Sequence, residues 1–265
     1  MVADLARRRA GLVFTPDKSY FVESRIRSLL RRRALGSPAD LIAALRRDEA
    51  LADAVVEALV NSETSFFRDK SPFELLRDRV IPEILAHDPR GPIRVWSAAC
   101  ATGQEPYSLA MALDRWLGAG RPSFEILGTD VSESCIAAAR EGRYSEFEMR
   151  RGLSQLDRTR YFEPDGAAWR ARQSLRDKVR WRPLNLLDGA VELGPFEIVF
   201  CRNVLIYFDQ ATRRRVLENI SKALRPHGFL FLGASETMFA FADLFAPMRG
   251  APGVYRPCVA RPPVS

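Results

Sequence analysis

Two kinds of apolar spacing divide the chain. From residue 1 to about 70, apolar positions recur at helical intervals: Tyr20, Phe21, Ile26, Leu29 and Leu30, then Leu41, Ile42 and Leu45, then Leu51, Val55, Val56, Leu59 and Val60. Ser37-Pro38-Ala39-Asp40 is a helix-start signal, with Gly36 ending the helix before it. Strand-like alternation is missing here, so residues 1–72 read as an all-α N-terminal domain. Pro72 to Leu85 continue as a linker helix, closed by the loop His87–Pro92, which makes 73–92 a connector. From Ile93 the pattern changes. Short apolar runs, Ile93–Trp96, Phe124–Asp130, Val179–Leu184, Phe196–Cys201, Phe229–Leu232 and Val254–Tyr255, alternate with helical stretches such as Ser132–Arg140 and Gln210–Leu224. That alternation predicts an α/β unit over 93–265, a mostly parallel sheet with helices on both faces. One stretch departs from it. Tyr161–Ala171 reads as a hairpin turning at Pro164-Asp165-Gly166. With the helical segment before it, it forms a small inserted β-subdomain over about 145–178. The Pro-rich end, Arg256 to Pro263, is expected to fray.

Composition narrows the function classes. No apolar run reaches the roughly 18 residues of a membrane span. Met1–Arg9 is charged and is not followed by a signal-type apolar core, so a cytoplasmic protein without membrane insertion is expected. Cys100, Cys135, Cys201 and Cys258 lie far apart, and only two histidines exist, His87 and His227. Neither a zinc site nor a disulfide framework is expected. The net charge of +7 asks for an acidic partner. The densest positive patch is one amphipathic helix, Glu23 to Arg33, where Arg25, Arg27, Arg31, Arg32 and Arg33 form a docking face or a solvated surface. Arginine forks bind carboxylate as well as phosphate.

The candidate ligand site is the stretch Arg94–Ser108. A strand is followed by a loop of small residues, Ser97 to Gly103, and then by a helix with Pro106 in its first turn. Open α/β sheets bind nucleotides at such a turn. The loop has one glycine and a carboxylate, Glu105, where a pyrophosphate-binding loop would be glycine-rich. Glu105 would repel a pyrophosphate and suits an ammonium. Asp130, at the end of the next strand, suits a ribose hydroxyl. A ligand with adenosine, an amino-acid end and a cationic sulfur meets both demands, which points to S-adenosylmethionine and away from NAD.

The ordered blocks Ser62-Glu-Thr-Ser-Phe-Phe-Arg68, Trp96–Ser108, Gly128-Thr-Asp-Val131, Asn185-Leu186, Phe200–Asp209 and Arg225–Glu236 resemble the CheR-type chemotaxis receptor methyltransferases. The resemblance runs from the helical part to near residue 240. It implies a Rossmann-like S-adenosylmethionine methyltransferase domain with a small inserted antiparallel β-subdomain, preceded by the all-α domain. The implied activity is methyl transfer from S-adenosylmethionine to glutamate side chains of chemoreceptor cytoplasmic helices, giving methyl esters in sensory adaptation. No metal is implied.

By position, the resemblance makes Ser62, Thr64 and Arg68 residues that reach over the cofactor, with Arg68 toward its carboxylate. Glu105 would take the amino group and Asp130 the ribose. Asn185 and Leu186 would flank the adenine, and Asn203 and Val204 would line the floor. Tyr207 and Arg202 would stand near the transferred methyl and orient the glutamate. Ser62 stands where the family often has Asn, with Asn61 one place earlier, and Gln104 replaces the first acid of the loop. The implied partner is an acidic receptor helix docked on Arg25–Arg33. The short hairpin turn favours independence from a receptor C-terminal peptide tether. Two rival readings stand beside this one. A nucleic-acid methyltransferase fits the charge, but Cys201-Arg-Asn-Val204 stands where base-amino methylation uses an Asp/Asn-Pro-Pro-aromatic segment. A non-catalytic ligand-binding signalling module is the other.

Overall fold

The helical spacing of the first third resolves into four helices: α1 (Val2–Ala10), α2 (Ser19–Arg32), α3 (Pro38–Ala44) and α4 (Glu49–Leu59). Ser37 caps α3 by accepting from the Asp40 amide, and Asp48 caps α4 by accepting from the Leu51 amide. The apolar faces of α2 and α4, including Ile26, Leu29, Val55 and Leu59, are buried against each other and against α1. This computed structural model describes residues 1–117, 123–189 and 191–258.

An irregular segment after α4 holds Phe67, Asp69 and Lys70 at positive φ. The linker then forms α5 (Ser71–Leu75) and α6 (Ile81–His87), joined through a π turn at Leu76–Val80. Next come β1 (Ile93–Ala98), α7 (Gln104–Leu117), β2 (Phe124–Asp130) and α8 (Glu133–Glu141). Ser132 caps α8, as its place in the sequence predicts. The insertion contains β3 (Arg143–Ser145), α9 (Glu146–Arg150), α10 (Gln155–Tyr161), β4 (Phe162–Asp165), β5 (Ala168–Ala171) and α11 (Gln173–Arg176). The chain returns to the main sheet as β6 (Val179–Pro183), β7 (Phe196–Cys201), α12 (Gln210–Ala223), β8 (Leu224–Leu232), β9 (Phe245–Pro247) and β10 (Val254–Pro257).

The main sheet has the order β6-β2-β1-β7-β8-β10-β9. Its first five strands run parallel, and β10 pairs antiparallel with both β8 and β9. Alternation along β1 sends Trp96 and Ala98 to the face covered by α12 and the N-terminal helices. Ile93 and Val95 go to the face covered by α5, α6, α7 and the insertion. The chain leaves β1 toward β2 on one side and later returns to β7 on the other. The carboxyl ends of β1, β2 and β7 therefore open onto a topological switch point, where such sheets bind ligands.

Several details differ from the sequence reading. The hairpin turn is Gly166-Ala167, not Pro164-Asp165-Gly166, and Pro164 lies within β4. β4 is an edge strand of the order β3-β5-β4, where a missing N–H is tolerated. The third strand of this sheet, β3, was not anticipated, and neither was β9. β8 also starts earlier than Phe229, taking in Arg225–Gly228 through an irregular register between Phe196 and Ile198. Arg256 and Pro257, expected to fray, are paired in β10. The rest of the expected frayed end, from residue 259, lies outside the described residues.

Candidate active site

At the crest of β1 the chain turns through Ala99 and Ala101, both in the left-handed region at φ 59 and 48. That backbone costs an alanine energy, so something must hold it. Asp130 does. Its Oδ2 accepts the Ala101 amide at 2.8 Å and its Oδ1 the Ser132 amide at 3.0 Å, while Cys100 N–H donates to the Thr129 carbonyl at 2.9 Å. Asp130 is only 4% exposed, and burial pushes its carboxyl above the ordinary range despite the amides of Ser132, Ala101 and Val131. Burial likewise pushes the Cys100 thiol well up.

Glu105, in the first turn of α7, faces the same space. Ser97 Oγ donates to its Oε1 at 2.8 Å and Arg202 Nη1 to its Oε2 at 2.9 Å. The other end of Arg202 donates to Asp69 Oδ2 at 2.7 Å and to the Arg68 carbonyl at 3.1 Å. Its Nε is buried without a partner. Glu105, Arg202 and Asp69 together carry one net negative charge, and Arg68 beside them adds a positive one.

Residues 203–207 form the opposite wall. Asn203 sits at φ 60. Buried Glu236 collects four amides: Val204 at 3.0 Å and Leu205 at 2.8 Å on Oε1, Asn203 at 2.9 Å and Gly233 at 2.7 Å on Oε2. Such charge-assisted bonds are strong, and they fix the turn that carries Tyr207.

The N-terminal domain closes the cleft. Leu12 bridges to Phe208, and Val13 N–H donates to the Tyr207 carbonyl at 2.8 Å. Asn185 Nδ2 donates to the Arg9 carbonyl, and Asn61 Nδ2 to Tyr207 Oη at 2.7 Å. Glu57 of α4 accepts from Ser132 Oγ at 2.8 Å and the Ser134 amide at 2.9 Å. The inserted subdomain supports the remaining edge. Phe66 packs edge-on to Tyr144 and Phe162, at ring distances of 5.0 and 5.5 Å, and Glu63 pairs with Arg151. Gly152 lies so close that a Cβ there would stand 1.8 Å from the Phe66 carbonyl oxygen.

These walls enclose a cleft of about 870 Å3, its open mouth included. Thr64, Arg68, Glu105, Asp130, Asn185, Leu186, Arg202, Asn203, Val204 and Tyr207 all line it. Ser62 does not. Asn61 lines the cleft instead, and Ser62 faces an adjoining groove beside Cys135. Arg25, Arg31, Arg32 and Arg33 border that second groove, and all five arginines, Arg27 included, are exposed. Arg202 is built into the wall, its side chain 1% exposed and both terminal nitrogens engaged. Sequence reasoning missed Ala10, Leu12, Val60 and Phe208 in the lining, and Glu236 behind it. Glu236 closes a block already singled out, so the one available signal was an acid in an otherwise small and apolar run.

The donor set matches a zwitterionic amino acid joined to a nucleoside. Glu105 suits an ammonium, Arg68 a carboxylate and Asp130 a hydroxyl, and a left-handed alanine turn takes the place of a phosphate-cradling glycine loop. Fold and site together define the sheet-based, S-adenosylmethionine-dependent methyltransferases. Residues 62–254 match the family model "CheR methyltransferase, SAM binding domain", and residues 1–60 match "CheR methyltransferase, all-alpha domain". The chain belongs to the CheR methyltransferase family. It is 40% identical to Chemotaxis protein methyltransferase 1 of Pseudomonas aeruginosa, over 93% of this chain and 92% of that protein. Identity is 38% to Chemotaxis protein methyltransferase Cher2 of Pseudomonas putida, with 93% and 92% covered. With the chemotaxis protein methyltransferase of Listeria monocytogenes it is 33%, with 90% and 89% covered. Among solved structures, the glycopeptide N-methyltransferase MtfA complexed with S-adenosylmethionine aligns at a TM-score of 0.37 and 17% identity, over 64% of this chain and 57% of that one. Among the described residues no helix is long and apolar enough to cross a membrane.

Proposed function

We propose that this methyltransferase esterifies glutamate side chains on the cytoplasmic helices of chemoreceptors. One observation carries the choice of a carboxylate acceptor. Among the described residues lining the cleft there is no histidine, the Cys100 thiol is held protonated by burial, Glu63 pairs with Arg151, and Glu105 and Asp130 already accept hydrogen bonds. Such a cleft is poor at removing a proton, and a glutamate, already ionised near neutral pH, needs none removed. When bound, S-adenosylmethionine supplies a methyl on a positively charged sulfur, which a carboxylate oxygen takes as the C–S electron pair returns to sulfur.

The residues divide the work as follows. Arg68 binds the cofactor carboxylate, Glu105 its ammonium, and Asp130 the ribose while bracing the alanine turn. Asn185 and Leu186 flank the adenine, Asn203 and Val204 form the floor, and Thr64 covers the cofactor. Tyr207 orients the glutamate. Arg202 acts on Glu105 and Asp69, holding them in place, in preference to touching the substrate. Asn61, and not Ser62, faces the cleft, where it donates to Tyr207 Oη. The remaining task is to exclude water and align oxygen, methyl and sulfur. No metal enters this scheme.

Arg25, Arg27, Arg31, Arg32 and Arg33 receive the acidic receptor helix. Independence from a receptor-tail tether is supported by the two-residue turn between β4 and β5. The test is incubation with labelled S-adenosylmethionine and receptor-bearing membranes. Base-labile methyl esters on the receptor are expected. No transfer to any receptor, with nucleic acid accepted instead, would overturn the proposal.

A further inference from the structure

Tyr207 is held from three directions. Its amide donates to the Val204 carbonyl at 3.1 Å, its carbonyl accepts from Val13 N–H at 2.8 Å, and the Lys18 ammonium lies 5.5 Å over its ring. Two of these bonds hold its backbone and the cation faces its ring, while the hydroxyl hydrogen turns about the C–O bond. A phenol has one hydrogen to give and lone pairs to receive. Asn61 Nδ2 donates into those lone pairs at 2.7 Å. The hydrogen of Tyr207 is therefore turned away from Asn61, and both side chains line the cleft. Among the described residues, no protein acceptor takes that hydrogen.

The matching partner is an acceptor-only group, and an ionised carboxylate is one. We infer that Asn61 is a positioning residue: by donating to Tyr207 Oη it aims the tyrosine O–H into the cleft, where it holds one oxygen of the substrate glutamate and leaves the other free to take the methyl. This rests on the glutamate-methylation reading above. Asn61 belongs to the segment that follows α4, so the junction between the helical part and the methyltransferase domain sets the polarity of that hydroxyl. Hydrogen-bond direction, not proton removal, is what the pair contributes.

The test is a double-mutant cycle with Asn61→Ala and Tyr207→Phe. Receptor methyl-ester formation gives kcat/KM, and calorimetry gives affinity for S-adenosylhomocysteine. In the wild-type background Asn61→Ala should lower kcat/KM about tenfold, the scale of one misdirected hydrogen bond to a charged group. In the Tyr207→Phe background the same change should cost less than about twofold, because no hydroxyl remains to be aimed. Affinity for S-adenosylhomocysteine should stay within about twofold in every variant, the mark of a role confined to the acceptor side. Equal costs in the two backgrounds, or product affinity falling in step with activity, would assign Asn61 to the cofactor wall and overturn the inference alone. A wild-type protein that forms no receptor methyl esters overturns the glutamate reading and the inference with it.

Discussion

Replacing Glu236 by glutamine tests the wall that carries Tyr207. The side chain keeps its shape and loses its charge. Each carboxylate oxygen now takes two amides, Val204 and Leu205 on one and Asn203 and Gly233 on the other. Glutamine keeps one acceptor oxygen, so in either orientation two amides face an NH2 group. Glu236 is 8% exposed, and little water can replace the lost acceptor. A buried donor left unpaired costs about 1–3 kcal/mol, so the pair costs about 2–6 kcal/mol. Taking about 4 kcal/mol, and about 2–4 °C per kcal/mol for a protein of this size, Tm should fall by about 8–16 °C. Scanning calorimetry measures that. The relaxed turn also carries Asn203, Val204 and Tyr207, so affinity for S-adenosylhomocysteine should fall in an isothermal titration. A Tm within about 2 °C of wild type, together with unchanged affinity, would show that the carboxylate does not hold the turn and would refute the reasoning.

Three further outcomes are expected. Gly152→Ala should lower Tm and activity together, by about 2–4 kcal/mol of stability, since its Cβ would stand 1.8 Å from the Phe66 carbonyl oxygen at a φ of 99; thermal melts matching wild type would remove that contact from the support of the site. His227 packs on His87 at a ring distance of 3.8 Å, and burial, then His87 and Arg225, lower its pKa below 6.5, with Glu197 and Asp88 opposing. A base with a depressed pKa is favoured neutral in the fold, so this stability is present above pH 6.5 and is lost as pH falls through the folded value. Melts at about pH 7.5 and about 5.5 should show a steeper loss for wild type than for His227→Asn, and equal slopes would clear the pair. Arg31→Glu with Arg32→Glu should raise KM for receptor without changing S-adenosylhomocysteine affinity; full activity on receptor would make that helix a solvated surface.

The strands of the parallel sheet were legible because burial on both faces makes them continuous apolar runs. Phe196–Cys201 is the plainest, matching β7 residue for residue. Ser132 and Asp130 were legible because a cap and a strand-end acid are local signals. Arg143–Ser145 was not, since three polar-flanked residues carry no period and pair only with a distant strand. Pro164 misled the turn assignment because an edge strand accepts a proline that a central strand would not. The choice between Asn61 and Ser62 could not be made from sequence, because an irregular segment has no period to say which neighbour points inward. Ala10, Leu12 and Phe208 meet in the cleft only through long-range packing, and nothing local marks them.

Phe66 sits on the segment carrying Thr64 and Arg68, yet its aromatic neighbours Tyr144 and Phe162 belong to the insertion. The insertion is therefore not a detachable module. A shortened enzyme that joined Glu141 directly to Val179 would expose Phe66 and leave one rim of the cleft without a foundation. Exchanging insertions between relatives would have to carry the matching Phe66 segment along. The parts of the chain free to diverge separately are thus fewer than its three-part layout implies.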